Sequence, residues 1–226
     1  MLLILCGGLH LSQSEKLKCQ FGVRTFSYVG NVYFCFATSL DNSLNIMTID
    51  DYTGAHLANK NDNDVNGIFI QNTNTKYIPA NLGFLFNLTA FIVRNSNLIE
   101  IKAENFLGMQ NLEFLSLFDN KLTSLASDTF SSITKLKYIG LSFNQIEMIP
   151  SNLFSNNLNL VEINLNNNKI KHIGSGVFDG LKKLIKVDLS GNICIDNGFS
   201  DINQLKEDDE IMTHIGIIQW FSYHLT

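Results

Sequence analysis

Charge is scarce in this 226-residue chain: Asp, Glu, Lys and Arg make up only 16% of it, and their balance is acidic, at a formal −5. An acidic chain offers no basic footprint to a phosphate backbone, so nucleic acid is not an expected partner, and an anionic membrane surface would repel it. Long apolar runs are missing too. A spanning helix needs ~20 apolar residues, whereas the run 2–9 is short and the C-terminal stretch 211–225 is interrupted by Thr213, His214 and Gln219. No glycine-rich loop of the phosphate-cradling kind occurs, and His56, His172 and His214 stand apart without the spacing of a metal site or a nucleophile–base pair. These absences leave no catalytic residue, metal or cofactor to expect. What the chain does have is apolar material, 45% hydrophobic residues with 17 Phe among them, which excludes a disordered chain and supplies a continuous core.

That material is periodic. Leu88, Leu112, Leu136, Leu160 and Leu184 recur every 24 residues, and each opens the same pattern: Leu115, Leu117, Asn120, Leu122 and Leu125 in one copy, Ile139, Leu141, Asn144, Ile146 and Ile149 in the next, Ile163, Leu165, Asn168, Ile170 and Ile173 in the third. No helical or strand period gives such a step. It is the leucine-rich repeat pattern, one strand and a return segment per turn of a solenoid. Phe106, Phe130, Phe154 and Phe178 mark the return half at a fixed offset, with Met109, Ile133 and Leu181 three residues further on. Asn157 stands where a fourth such apolar residue is expected, and Leu158 is the expected substitute.

A single turn cannot hide its leucines, phenylalanine and strand edges from water, and stacking hides all three. Asn120, Asn144, Asn168 and Asn192 are expected to form an inward ladder whose amides bond backbone groups of their own and the adjacent turn, with Thr73 and Ser96 as weaker versions in the earlier turns.

Toward the N-terminus, the apolar run 2–9 is followed by Ser12-Gln13-Ser14, small residues at the places a signal peptidase reads, so 1–14 is expected to be a secretory signal. Its removal takes Cys6 and leaves Cys19, Cys35 and Cys194. Cys19 and Cys35 flank an aromatic and β-branched stretch with Val29-Gly30-Asn31 at its middle, which reads as a hairpin closed by a disulfide that covers the first turn's open edge. Two reduced buried thiols are the other reading. Residues 46–57 add a strand-like run with a turn at Gly54, and 59–66 is a polar loop. Its Asp62-Asn63-Asp64-Val65-Asn66-Gly67 imitates the opening of a calcium-binding loop. The twelfth place is Thr73 rather than a glutamate, and the residues read better as the start of the first repeat. That repeat is Val65, Ile68, Ile70, Thr73, Thr75 and Ile78. It precedes Asn87-Leu88-Thr89, the chain's one glycosylation sequon, whose asparagine should sit at an exposed corner. After Leu184, Val187, Leu189 and Asn192 the pattern ends at Cys194.

The expected organisation is therefore a signal over 1–14, a disulfide-closed cap over 15–64, about six repeats over 65–192 and a short C-terminal cap over 193–226. The fold class is an α/β solenoid, a curved leucine-rich repeat horseshoe with parallel strands on its concave face, an N-terminal β-hairpin cap and a short C-terminal cap.

The repeats resemble the extracellular 24-residue class of leucine-rich repeat proteins. The Cys19…Cys35 hairpin, Ile49…Gly54-Ala55-His56-Leu57, Asp64-Val65, Ile78-Pro79 and Asn192-Ile193-Cys194-Ile195 are similar to a secreted arthropod subgroup of that family. The resemblance covers nearly the whole chain after residue 14 and implies a secreted, extracellular protein-binding module with a role in recognition, adhesion or immunity. The family pairs the cysteine at the Cys194 position with a later one, and this chain has none after it. Cys194 is thus open between a free core thiol, a bond that joins two copies into a homodimer, and the mark of a truncated gene model.

Residues between the core leucines point outward on the concave face. Read turn by turn, aromatics gather on the middle turns: Phe114, Phe118, Tyr138 and Phe143, with Arg94, Asp119, Glu162 and Asn166 around them. Grouped aromatics with a polar rim are the expected protein-binding surface. Stacking of the rings on one another across the sheet is the structural reading of the same residues, and a self-associating matrix component is the competing function.

Overall fold

A computed structural model describes residues 14–39, 48–78 and 87–193; most of the expected signal segment, Cys194 and the remainder of the expected C-terminal cap lie outside them. The solenoid strands are β4 (Gly67–Gln71), β5 (Ala90–Arg94), β6 (Phe114–Ser116), β7 (Tyr138–Gly140), β9 (Glu162–Asn164) and β11 (Lys186–Asp188). They pair in parallel in that order, and from β5 onward the partners lie 24 residues apart: Ala90 faces Phe114, then Tyr138, Glu162 and Lys186. The short step is the first, Gly67 to Ala90. Among the described residues six strands thus bound five turns of a leucine-rich repeat solenoid. Two-residue strands β8 (Met148–Ile149) and β10 (His172–Ile173) pair beside them on the return side.

The pattern that repeats in sequence is buried in space. Leu112, Leu115, Leu117, Leu136, Ile139, Leu141, Leu160, Ile163 and Leu165 are fully buried in one core. Behind them Phe106, Phe130 and Phe154 run as a column of rings with centroids 5.7 and 6.0 Å apart. The return segments are tight: among the described residues they hold a 3-10 helix at Ala103–Phe106 and turns, with no α-helix, because about twenty residues must cross back within the width of one turn.

The asparagine ladder follows the register. Asn144 accepts from Leu122 N at 3.0 Å and donates to Leu117 O at 2.9 Å in the preceding turn and to Leu141 O at 3.0 Å in its own. Asn120, Asn168 and Asn192 repeat the arrangement. Lysines reach back one turn as well, Lys137 to Glu113 at 2.9 Å, Lys171 to Glu147 at 3.2 Å and Lys186 to Glu162 at 2.8 Å. Such exposed pairs are worth only about 0.2–1 kcal/mol each and fix register more than stability.

Asn157 is a correction. Leu158 does not replace it in the core but stands 52% exposed, while Asn157 itself is fully buried. Its amide nitrogen donates to Phe130 O at 3.1 Å and Ile133 O at 3.0 Å, so it works as a second inter-turn clip, with its Oδ1 unpartnered among the described residues.

The N-terminal hairpin is part of the same sheet. β1 (Ser14–Phe26) pairs antiparallel with β2 (Gly30–Ser39), β2 pairs in parallel with β4, and β3 (Thr48–Thr53) lies outside β1. Cys19 and Cys35 are bonded, with Cα atoms 5.0 Å apart. The loop after β3 docks on this staple: His56 stacks on Phe21 at 3.9 Å and bonds the Tyr33 hydroxyl at 3.1 Å and Asp62 at 2.9 Å. The calcium-like run is committed internally. Asp64 pairs with Lys60, whose hydrogen bond holds its carboxyl below the usual carboxylate range, and Asn66 accepts from Tyr33 N at 2.8 Å.

Candidate recognition surface

The hairpin is longer than any solenoid strand, at 13 and 10 residues against three to five, and its excess length is used on the outward face of the sheet. There Val32, Phe34, Phe69, Ala90 and Ile92 form a second buried cluster, with Phe26, Val29, Phe36 and Phe114 packed against it. Gly67 permits the close approach: a Cβ there would lie 2.5 Å from Val32 Cγ1 and 2.7 Å from the Phe34 ring. Arg24 spreads its guanidinium over Phe69 and Phe36, at 4.7 and 5.0 Å from their centroids.

The tip, residues 27–29, goes further and lands on the middle turns. Phe26 packs on Phe114 with ring centroids 4.4 Å apart. The Tyr28 hydroxyl donates to Glu162 Oε2 at 2.9 Å, and Lys137 Nζ donates to Tyr28 O at 3.2 Å. The hydrogen bond to Glu162 comes first among the causes that raise the Tyr28 pKa above its ordinary value, with burial and the negative charge adding to it. Burial pushes the Tyr138 hydroxyl up as well, and Glu162 adds to it. Lys186 is raised chiefly by its hydrogen bond to the same carboxylate.

The four aromatics named from the sequence therefore separate into two pairs. Phe114 and Tyr138 stack on β6 and β7, 4.4 Å apart and within 7° of parallel, half-buried; the Tyr138 ring lies along its own strand over Gly140, and the hairpin tip covers Phe114. Phe118 and Phe143 lie past the strand ends, where the chain turns out of the sheet, 5.1 Å apart and 38% and 48% exposed. Asp119 is exposed beside Phe118. Arg94 lies toward the hairpin, its guanidinium 5.5 Å from the Phe69 ring. Glu162 is held by Tyr28 and Lys186, and Asn166 donates to Asp188 Oδ2 at 2.8 Å. Burial works to raise the Asp188 carboxyl, but hydrogen bonds from Ser190 and Asn166 and the Lys186 charge outweigh it and leave the pKa lowered. Asn87 is exposed, and Thr89 of its sequon donates its hydroxyl to Asn66 O at 3.1 Å.

Phe26 and Tyr28 are surface-shaping residues that the repeat pattern does not announce. Their signal was the apolar outward row of the first turns, Phe69, Ala90 and Ile92, which needs a cover from somewhere. Among the described residues no cluster of three or more His, Cys, Asp or Glu side chains could hold a metal, and no helix is long and apolar enough to cross a membrane.

Residues 86–146 and 134–193 match the leucine-rich repeat family model. Among solved structures, a chain in the Drosophila Toll–Spatzle complex, glycosylated form, is similar at 22% identity and a TM-score of 0.54, over 56% of this chain and 17% of that one. A chain in a second structure of the Toll–Spatzle complex has 18% identity, a TM-score of 0.46 and coverage of 57% and 24%. This chain thus spans less than a quarter of the length of either structural relative, and the likeness is one of fold. A search of curated proteins gives no sequence match.

Proposed function

We propose that the protein is an extracellular recognition module that binds another protein through the outer edge of its repeats, centred on Phe118 and Phe143 and bordered by Asp119 and Arg94. The observation that carries this reading is the contrast between the two aromatic pairs: the chain covers Phe114 with its own hairpin and leaves two adjacent phenylalanines in water. Large apolar side chains grouped at the surface of a well-packed solenoid are the usual anchors of a protein interface. The Cys19–Cys35 bond supports an oxidising compartment, consistent with secretion and with a glycan on Asn87. That the similar solved structure at a TM-score of 0.54 is described as a complex of Toll with Spatzle points the same way.

The test is cross-linking of the secreted full chain to its surroundings, followed by identification of the joined protein, beside the same experiment on Phe118→Ala/Phe143→Ala. Loss of the cross-linked partner at an unchanged far-ultraviolet spectrum supports the reading. An unchanged partner, or cross-links only between copies of the chain, refutes it.

A further inference from the structure

The position before each ladder residue has a left-handed backbone in all six repeats: Asn72, Asn95, Asp119, Phe143, Asn167 and Gly191, with φ of 56, 48, 55, 55, 52 and 69°. Asn, Asp and Gly tolerate that conformation, and Phe does not. The backbone has no freedom to relax there. Asp119 N donates to Ser142 O at 2.9 Å, Phe143 N to Asn166 O at 3.0 Å and Asn167 N to Ser190 O at 2.8 Å, so neighbouring turns impose the angle on Phe143. Nor does the core compensate it, because the ring is 48% exposed. An Asn in this column can even bond its neighbour, as Asn95 does with Asn72 at 2.7 Å. A strained, solvent-facing aromatic where the other turns carry tolerant residues is the mark of a position kept for contact rather than for folding.

The charges around it have one predominant sign. The nearest are Lys121 and Lys169, which each follow the left-handed residue of their turn by two positions; against these two cations stands Asp119. Lys171 is offset by Glu147. The edge is thus locally basic in a chain of net charge −5.

Resting on the recognition reading above, we propose that Phe143 is the anchor of the interface and that its occupant is a segment of another protein that presents an apolar side chain flanked by Asp or Glu. The ring supplies contact area at no further cost in backbone order, and Lys121 and Lys169 select the acidic flanks and speed the encounter.

The experiment uses a phage-displayed random dodecapeptide library panned on the full chain, with the enriched peptides then synthesised and titrated against the natural protein, Phe143→Asn and Lys121→Glu. Enriched peptides should carry an aromatic or aliphatic residue beside acidic ones, lose about tenfold or more in affinity to Phe143→Asn, and weaken with added salt and with Lys121→Glu. Phe143→Asn should unfold at or above the temperature of the natural protein. Peptides without acidic residues, or bound equally by Phe143→Asn, overturn this inference and leave the recognition reading standing; a library that yields no binder overturns both. A melting temperature lowered by more than about 4 °C would make Phe143 a structural residue. Concentration-dependent self-association that Phe143→Asn abolishes would place a second copy on the edge and equally overturn the proposal.

Discussion

Replacing Asn144 with alanine isolates what the ladder contributes. The side chain makes four bonds to buried groups, but they are not equivalent: Leu117 O keeps a bond from Asn120 at 3.1 Å, Leu141 O keeps one from Asn168 at 2.9 Å and Ser142 O keeps one from Asp119 N at 2.9 Å, whereas the Leu122 amide has Asn144 Oδ1 as its acceptor. An orphaned buried N–H costs about 1–3 kcal/mol, and three further bonds removed from carbonyls that stay partly satisfied add roughly 0.5 kcal/mol each. The sum is about 3 kcal/mol, which lowers Tm by about 6–12 °C in a domain of this size. Asn192 makes the matching bonds to Ile170 N, Leu165 O and Leu189 O but is partly exposed, so water replaces them and Asn192→Ala should cost only about 1 kcal/mol. Thermal and urea unfolding followed by circular dichroism, with the two variants measured side by side, decides the matter. Equal losses for both, or a loss below about 1 kcal/mol for Asn144→Ala, would refute the view that these asparagines hold the turns together.

Cys19→Ser/Cys35→Ser frees a 16-residue separation and should lower stability by about 3 kcal/mol, read from urea midpoints with and without reductant. Gly67→Ala places a methyl against Val32 and Phe34 and should lift the hairpin from β4, seen as faster amide exchange across β2. Tyr28 has a raised folded pKa, so its contribution is complete below the ordinary value of 10.0 and is lost as pH climbs through the higher folded value. The melting-temperature gap between the natural protein and Tyr28→Phe should therefore be constant from pH 7 to 9 and close in stronger alkali; a gap that closes on acidification from pH 9 to 7 would contradict the Tyr28–Glu162 bond.

The core of the fold was legible because it is periodic: the same residue types at a step of 24 can satisfy their burial and backbone needs in one way, by stacking, and Leu115, Ile139 and Ile163 pair as that step requires. The hairpin's disulfide was legible from two cysteines around an aromatic stretch. Where the hairpin tip lands was not, because the Phe26–Phe114 contact and the Tyr28–Glu162 bond span 88 and 134 residues and obey no repeat. That one unread contact divides the expected aromatic surface. Asn157 and Leu158 were misread for a related reason: polarity was weighed against the apolar column, while the open carbonyls of Phe130 and Ile133 in the turn before decide which side chain goes inward.

Hydroxyl-radical footprinting of the intact protein, resolved residue by residue by mass spectrometry, tests directly whether the hairpin claims the strand face and cedes the edge. Phe118 and Phe143 should oxidise readily while Phe34, Phe69 and Phe114 stay protected. Oxidation of Phe69 and Phe114 at the rate of Phe143 would show an open concave face and contradict the account.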